Sequence, residues 1–146
     1  MTPSAGPRDV FERLISGISA GQWRELASLY AEDAVVEQPF AVPSAPHRLE
    51  GREAIHAHFS AAAGRPLEMT ARILAVHETV DPEVVIAEFD YDVRITTTGR
   101  TFTVTNVQVL RVRDGLIVAT RDYHDHLALA HETGRLPDLV AALTAG

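Results

Sequence analysis

Cysteine is absent from the 146 residues, which excludes disulfide frameworks, thiolate zinc sites and cysteine nucleophiles while saying little about compartment. Basic charge is scarce: 13 Lys plus Arg stand against 20 Asp plus Glu, a formal charge of −7. With no basic cluster, no nucleic-acid partner is expected. No apolar run approaches the roughly 20 residues that span a bilayer, and the N-terminal stretch MTPSAGPRDVFERL lacks a signal-peptide pattern. No membrane partner and a cytoplasmic location are therefore the expectation. Nor is there a Gly-rich phosphate loop or a GxSxG elbow. With 9 Gly, 8 Pro and 46% hydrophobic residues, the chain can bury a core, and its length suits a single domain over 1–146. Chemistry must come from Asp, Glu, His, Tyr, Arg and amide side chains, with no cofactor implied.

The first half reads as helical. Val10, Leu14, Ile15 and Ile18 recur at helical spacing after Pro7, with Gly17 and Gly21 weakening the far end. Trp23, Leu26, Ala27 and Tyr30 suggest a second short helix. Ala34–Gln38 reads as a strand, and the proline-rich segment Pro39–Pro46 as a loop. A third helix follows Glu50-Gly51, with Ile55, Phe59 and Ala62 on one face and Gly64 at its end. The second half is strand-like: Leu67–Val80, Val84–Thr96, Phe102–Arg113 and Leu116–His126, with a hairpin signal at Asp114-Gly115. Leu136–Leu143 suggests a terminal helix. Helices followed by an antiparallel meander predict an α+β fold with helices on one face of a curved sheet.

Period-two alternation separates the strand faces. Val85, Ala87, Phe89, Tyr91, Val93 and Ile95 form an apolar face; Glu88, Asp90, Asp92 and Arg94 form a charged one, assigned to solvent or an interface. On the next strand Asn106 and Gln108 interrupt an apolar face, and Gln38 does the same on the first. Buried amides need partners, since one left unpaired costs about 1–3 kcal/mol. They either bond to backbone or line a pocket. On the last strand Thr120, Asp122, His124 and His126 share a face, but periodicity does not decide whether Asp122 or Asp125 points inward. An inward Asp among apolar groups is suited to act as a base. Asp122, His124 and His126 also have a spacing that a metal could use, although a polar strand end is the simpler reading, and no metal is expected. His58 lies beside the Ile55/Phe59 stripe, whereas His47, His77 and His131 read as surface residues.

Two sets of motifs carry a resemblance. Tyr30-Ala31-Glu32-Asp33-Ala34-Val35-Val36-Glu37-Gln38-Pro39-Phe40, followed by Glu50-Gly51-Arg52-Glu53-Ala54-Ile55, resembles the first half of the nuclear transport factor 2-like superfamily. Leu110-Arg111-Val112-Arg113-Asp114-Gly115-Leu116-Ile117, ending in Arg121-Asp122-Tyr123, resembles its C-terminal hairpin. The resemblance implies a cone: a curved mixed sheet packed with N-terminal helices around a deep apolar pocket, dimeric through the outer face of the sheet. That fold hosts both enzymes and binding domains.

Three enzyme branches differ in their site residues. Where ketosteroid isomerases have an Asp base and an oxyanion Tyr and Asp, this chain has Gln38, Leu14 and Gln108. Limonene epoxide hydrolases share the Asp of the Arg-Asp-Tyr motif. Their Arg and second Asp fall on Phe89 and Tyr91, or on Asp90 and Asp92 after a one-residue shift, and their Tyr and Asn on Val36 and Gln38. The SnoaL-like polyketide cyclases are the better match: their Asp base and amides fall on Asp122, Gln38 and Asn106, with Gln108 where the cyclase has His. Phenazine-biosynthesis proteins are similar in the hairpin but carry Asn-Pro where this chain has Asp125-His126.

The resemblance therefore implies a cofactor-independent enzyme of small-molecule biosynthesis. Asp122 would abstract a proton alpha to a carbonyl of a small apolar substrate, driving aldol-type cyclisation or isomerisation. Gln38, Asn106 and Gln108 would hydrogen-bond the developing enolate. Leu14, Trp23, Phe40, His58, Phe59, Phe89, Tyr91 and Phe102 would contact the substrate. The alternatives are epoxide opening with the same Asp, or a non-catalytic ligand-binding domain.

Overall fold

The computed structural model describes residues 4–145. The ends of the domain expected over 1–146, including the first residues of the stretch read for a signal peptide, lie outside the described residues. Helix α1 (Pro7–Ser19) begins with Pro in its first turn and Asp9 near its positive end, both favourable there. Its apolar stripe, Val10, Phe11, Leu14, Ile15 and Ile18, is buried. Gly17 does not fray this helix. A Cβ there would lie 2.5 Å from Leu26 Cδ2, so glycine lets the following segment close onto α1. That segment is a single 3₁₀ turn, Leu26–Leu29, instead of the short helix expected from Trp23 to Tyr30.

Tyr30 instead opens strand β1 (Tyr30–Glu37), which is followed by the short β2 (Arg48–Glu50) and helix α2 (Arg52–Ala63), ended by Gly64. Arg52 Nε donates to the Tyr30 carbonyl at 2.9 Å, fixing the start of β1 against α2. Long strands β3 (Leu67–Glu78), β4 (Val84–Ile95), β5 (Thr101–Arg113) and β6 (Leu116–His124) follow. Asp114 and Gly115 both have positive φ, 53° and 79°, as a tight hairpin between twisted strands demands. Helices α3 (His126–Glu132) and α4 (Leu136–Thr144) close the described chain. The last strand thus stops two residues short of the expected His126, because Asp125 caps α3 by accepting from the Ala128 N–H at 2.9 Å.

The six strands form one mixed sheet in the order β2-β1-β6-β5-β4-β3, parallel only between β1 and β6. Register shifts at Ile73/Ala75 and at Arg111/Val112 bend the long strands. α1 and α2 pack on the inner face, where Phe89, wholly buried, meets Phe11 at 5.4 Å and Tyr91 at 5.2 Å between ring centres. Each such aromatic contributes roughly 1.5–3 kcal/mol of burial. This is the expected α+β architecture with a curved sheet. Among the described residues no helix is long and apolar enough to cross a membrane.

The charged face of β4 lies on the outside, as expected, but not all of it is solvated. Asp90 is only 9% exposed, lying beneath Arg72, whose guanidinium approaches at 3.3 Å. An apolar patch interrupts the same outer face. Ile86, Val107, Val109 and Tyr123 are half-buried there, and Phe40, 67% exposed, packs edge-on against Tyr123 at 5.3 Å.

Candidate active site

The ambiguity in β6 is resolved by its bulge. Arg111 pairs with Ala119 and Val112 with Ile117, which leaves Val118 as an extra residue and reverses the alternation. Ile117 and Thr120 therefore both turn inward, at 0% and 2% exposure, despite their opposite parity. From Thr120 onward the regular alternation carries Asp122 inward and Tyr123 outward. Pairing across β5 sets Asp122 opposite Gln108 and His124 opposite Asn106, so four polar side chains meet on one patch of the inner face.

Their hydrogen bonds give each a distinct place. Gln108 Nε2 donates to Asp122 Oδ1 at 2.7 Å. Asn106 Nδ2 donates to the Val104 carbonyl at 3.1 Å and, weakly, to that of Phe89 at 3.4 Å, while its Oδ1 faces His124 Nδ1 at 2.7 Å. His124 Nε2 lies 3.9 Å from Asp122 Oδ2. Gln38 Nε2 donates to the Pro46 carbonyl at 3.1 Å, tying the 39–46 loop to the end of β1. The amides thus spend donors on holding the site: both Asn106 N–H groups point at backbone carbonyls. The Asp122 and His124 side chains keep 12% and 27% exposure, so solvent reaches the carboxylate.

Two phenols border this patch. Burial, and after it the Asp122 charge, holds the Tyr30 hydroxyl well above its ordinary pKa and does the same to Tyr91. Both remain neutral O–H donors at any physiological pH. Burial lowers His58, assisted by Arg65 and opposed by the Asp122 charge. Burial also lowers His124, again opposed by Asp122. Gln108 Oε1, Thr120 Oγ1 and His126 Nε2 are buried with no hydrogen-bond partner among the described residues.

Among the residues expected to contact substrate, Phe89 and Tyr91 lie on the Asp122 face. Phe59 bridges Tyr30, Trp23 and His58, with ring centres at 5.9, 6.3 and 6.1 Å. Phe102 packs half-buried against the core, and Leu14, 2% exposed, is part of it. Phe40 is a correction: it sits against Tyr123 on the opposite face, because β1 ends at Glu37 and the proline-rich loop then carries it to the outer side of β6. Tyr30 borders the site although its sequence context does not single it out. Its signal lay in shared parity with Ala34, Val36 and Gln38, obscured by reading the residue as helical. Asp122, His124 and His126 do not form one strand row, since His126 opens α3. Among the described residues no group of three or more His, Asp or Glu side chains is arranged to hold a metal ion. Two surface depressions of about 700 and 690 Å³ flank the outside of α1; neither touches Asp122.

Comparison with known proteins agrees with this architecture. A SnoaL-like domain model matches residues 11–120, ending two residues before Asp122. An uncharacterized PhzA/B-like protein of Pseudomonas aeruginosa is 36% identical over 117 residues, 79% of each chain. The crystal structure of a "putative isomerase" from Bacillus subtilis superposes with a TM-score of 0.82 at 26% identity, covering 88% of this chain and 93% of the other. A "putative polyketide cyclase" from Xanthomonas campestris gives a TM-score of 0.71 at 19% identity, covering 86% and 94%, a likeness of fold alone.

Proposed function

The chain belongs to the SnoaL-like family, and from that premise we propose that it is a cofactor-independent enzyme of small-molecule biosynthesis. Its substrate is a small apolar, polyketide-like carbonyl compound, and its reaction is aldol-type cyclisation or isomerisation. Asp122 removes a proton alpha to the carbonyl: the C–H bond breaks, its proton passes to Oδ2, and the electron pair enters the enolate. The supporting observation is the Asp122 carboxylate itself, oriented on one oxygen by Gln108 and bare on the other, beside two phenols that stay protonated. Tyr30 and Tyr91, 2% and 7% exposed, are the donors for the developing oxyanion, preorganised by their burial, which makes such stabilisation strongest. Asn106, Gln108 and Gln38 act as positioning residues. The chain contains no lysine, so no lysine side chain is there to activate the carbonyl as a Schiff base, and the reading assigns enolate formation to general-base abstraction.

The reading includes a homodimer through the outer sheet face, supported by the apolar patch of Ile86, Val107, Val109, Tyr123 and Phe40. The experiment for the chemistry follows exchange of the alpha protons of 2-tetralone in heavy water by NMR. Acceleration by the native protein and its loss in Asp122→Asn support proton abstraction. Binding of the ketone without accelerated exchange refutes it in favour of a binding domain, and turnover of an epoxide instead points to Asp122 activating water.

A further inference from the structure

The hydrogen bonds around Asn106 fix more than its own position. Its Nδ2 faces two carbonyl oxygens, Val104 O at 3.1 Å and Phe89 O at 3.4 Å. Turning the amide over would set oxygen against oxygen, so the orientation is determined by its surroundings. Oδ1 is then the atom facing His124 Nδ1 at 2.7 Å. A carbonyl oxygen only accepts, so Nδ1 must carry the hydrogen. In a neutral imidazole the lone pair is then on Nε2, the atom 3.9 Å from Asp122 Oδ2. That carboxylate oxygen is the free one, because Gln108 occupies Oδ1.

Two lone-pair atoms therefore face one another across a gap too long for a direct hydrogen bond. The gap is short enough that one substrate oxygen, about 2.8 Å from each, bridges them once either atom carries the abstracted proton and donates it. Burial keeps the ring neutral in the resting site, and the Asp122 charge favours its protonation, so the ring can accept a proton once one arrives. The other groups facing the pair are His58 of α2 and the phenols of Tyr30 and Tyr91. His126 of α3 lies beside the His124 ring, at 5.9 Å between centres, and is itself lowered by burial.

We infer that His124 is a second catalytic residue, which shares one proton with Asp122 across this gap. This rests on the reading of Asp122 as the base. The proton taken from the alpha carbon onto Oδ2 passes through the bridging substrate oxygen to Nε2, as that oxygen accepts it from Oδ2 and gives it up to Nε2, restoring the carboxylate and leaving an imidazolium. The Nε2–H bond then breaks as its proton moves to the alkoxide formed on ring closure, or to the distant carbon of the enolate in an isomerisation. The ring returns to its Nδ1–H form, and no outside acid, base or oxidant is consumed. The pair selects substrates whose carbonyl-derived oxygen, or whose proton-accepting carbon, can come within reach of both atoms.

The test is long-range proton–nitrogen NMR of histidine-labelled, ligand-free protein, in the native chain and in Asp122→Asn. The expected native spectrum shows His124 protonated on Nδ1 and bare on Nε2. In Asp122→Asn its proton affinity falls by about tenfold or more, as expected when an opposite charge about 4 Å away is removed. An Nε2–H tautomer in the native chain overturns the inference, and so does a His124 titration unmoved by Asp122→Asn. The native measurement needs no variant to fold. Failure of the base assignment is read separately, as 2-tetralone exchange undiminished in Asp122→Asn while the His124 spectrum is as expected.

Discussion

Asn106→Leu is the substitution whose consequences the site geometry defines most closely. It deletes the donation to Val104 O at 3.1 Å, the weak one to Phe89 O at 3.4 Å, and the acceptor for His124 Nδ1 at 2.7 Å. At about 1 kcal/mol for each sound hydrogen bond, the direct loss is roughly 2 kcal/mol. The stranded imidazole N–H adds about 1 kcal/mol, near the low end of the usual range because the His124 side chain is 27% exposed and partly hydrated. Leucine returns about 1 kcal/mol through apolar burial, for a net destabilisation of about 2 kcal/mol. His124→Phe strands the other member, Asn106 Oδ1, in a residue only 2% exposed, at about 1–3 kcal/mol. The double variant strands neither, so the two changes should be less costly together than their sum by about 1–2 kcal/mol. Urea unfolding of the four proteins at mildly alkaline pH, where the imidazole is neutral, measures the cycle. Additivity within about 0.5 kcal/mol would refute the pairing from which the His124 tautomer was deduced.

Stability should also depend on pH in a window set by the buried imidazoles. Burial lowers His58, His124 and His126 in the folded chain, so below the unfolded value of about 6.5 the unfolded chain binds more protons. Their contribution is complete above that pH and is lost as pH falls toward the folded values. Urea midpoints should decline from pH 7 to pH 5, above the range where ordinary carboxylates titrate, and the decline should be shallower in His58→Gln; flat midpoints would contradict it. Val107→Arg places a charge in the middle of the outer apolar patch, and light scattering should find a dimer in the native protein and a monomer in the variant. A native monomer would remove the outer face as an interface.

Much of the site was legible because strands impose a strict alternation. The interruption of the β5 apolar face by Asn106 and Gln108 marks the patch in the sequence itself, and the parity of β4 places Phe89 and Tyr91 on the same side. Asp122 was not decidable in that way. Val118 is an extra residue in β6, and a bulge depends on pairing with β5 that one strand's pattern does not contain. His126 and Phe40 fall elsewhere than their parity predicts for related reasons: a cap at Asp125 ends the strand early, and an irregular loop beyond the end of β1 carries the aromatic ring to the outer side of β6. Tyr30 was obscured because Leu26, Ala27 and Tyr30 have helical spacing, while Arg52 and the neighbouring β6 draw Tyr30 into the sheet. The roles of the amides were also beyond the sequence, which identified buried donors but not that Asn106 spends both of them on backbone carbonyls.

The most direct test of Asp122 as the base needs no knowledge of the natural substrate. 5-Nitrobenzisoxazole eliminates to a coloured cyanophenolate when a base removes its ring C–H proton beside nitrogen, and a carboxylate largely withdrawn from water accelerates that step. Turnover by the native protein, reduced at least about 100-fold in Asp122→Asn with the same urea midpoint to within a small shift, is the predicted result. Native-like turnover in a folded Asp122→Asn would contradict the account.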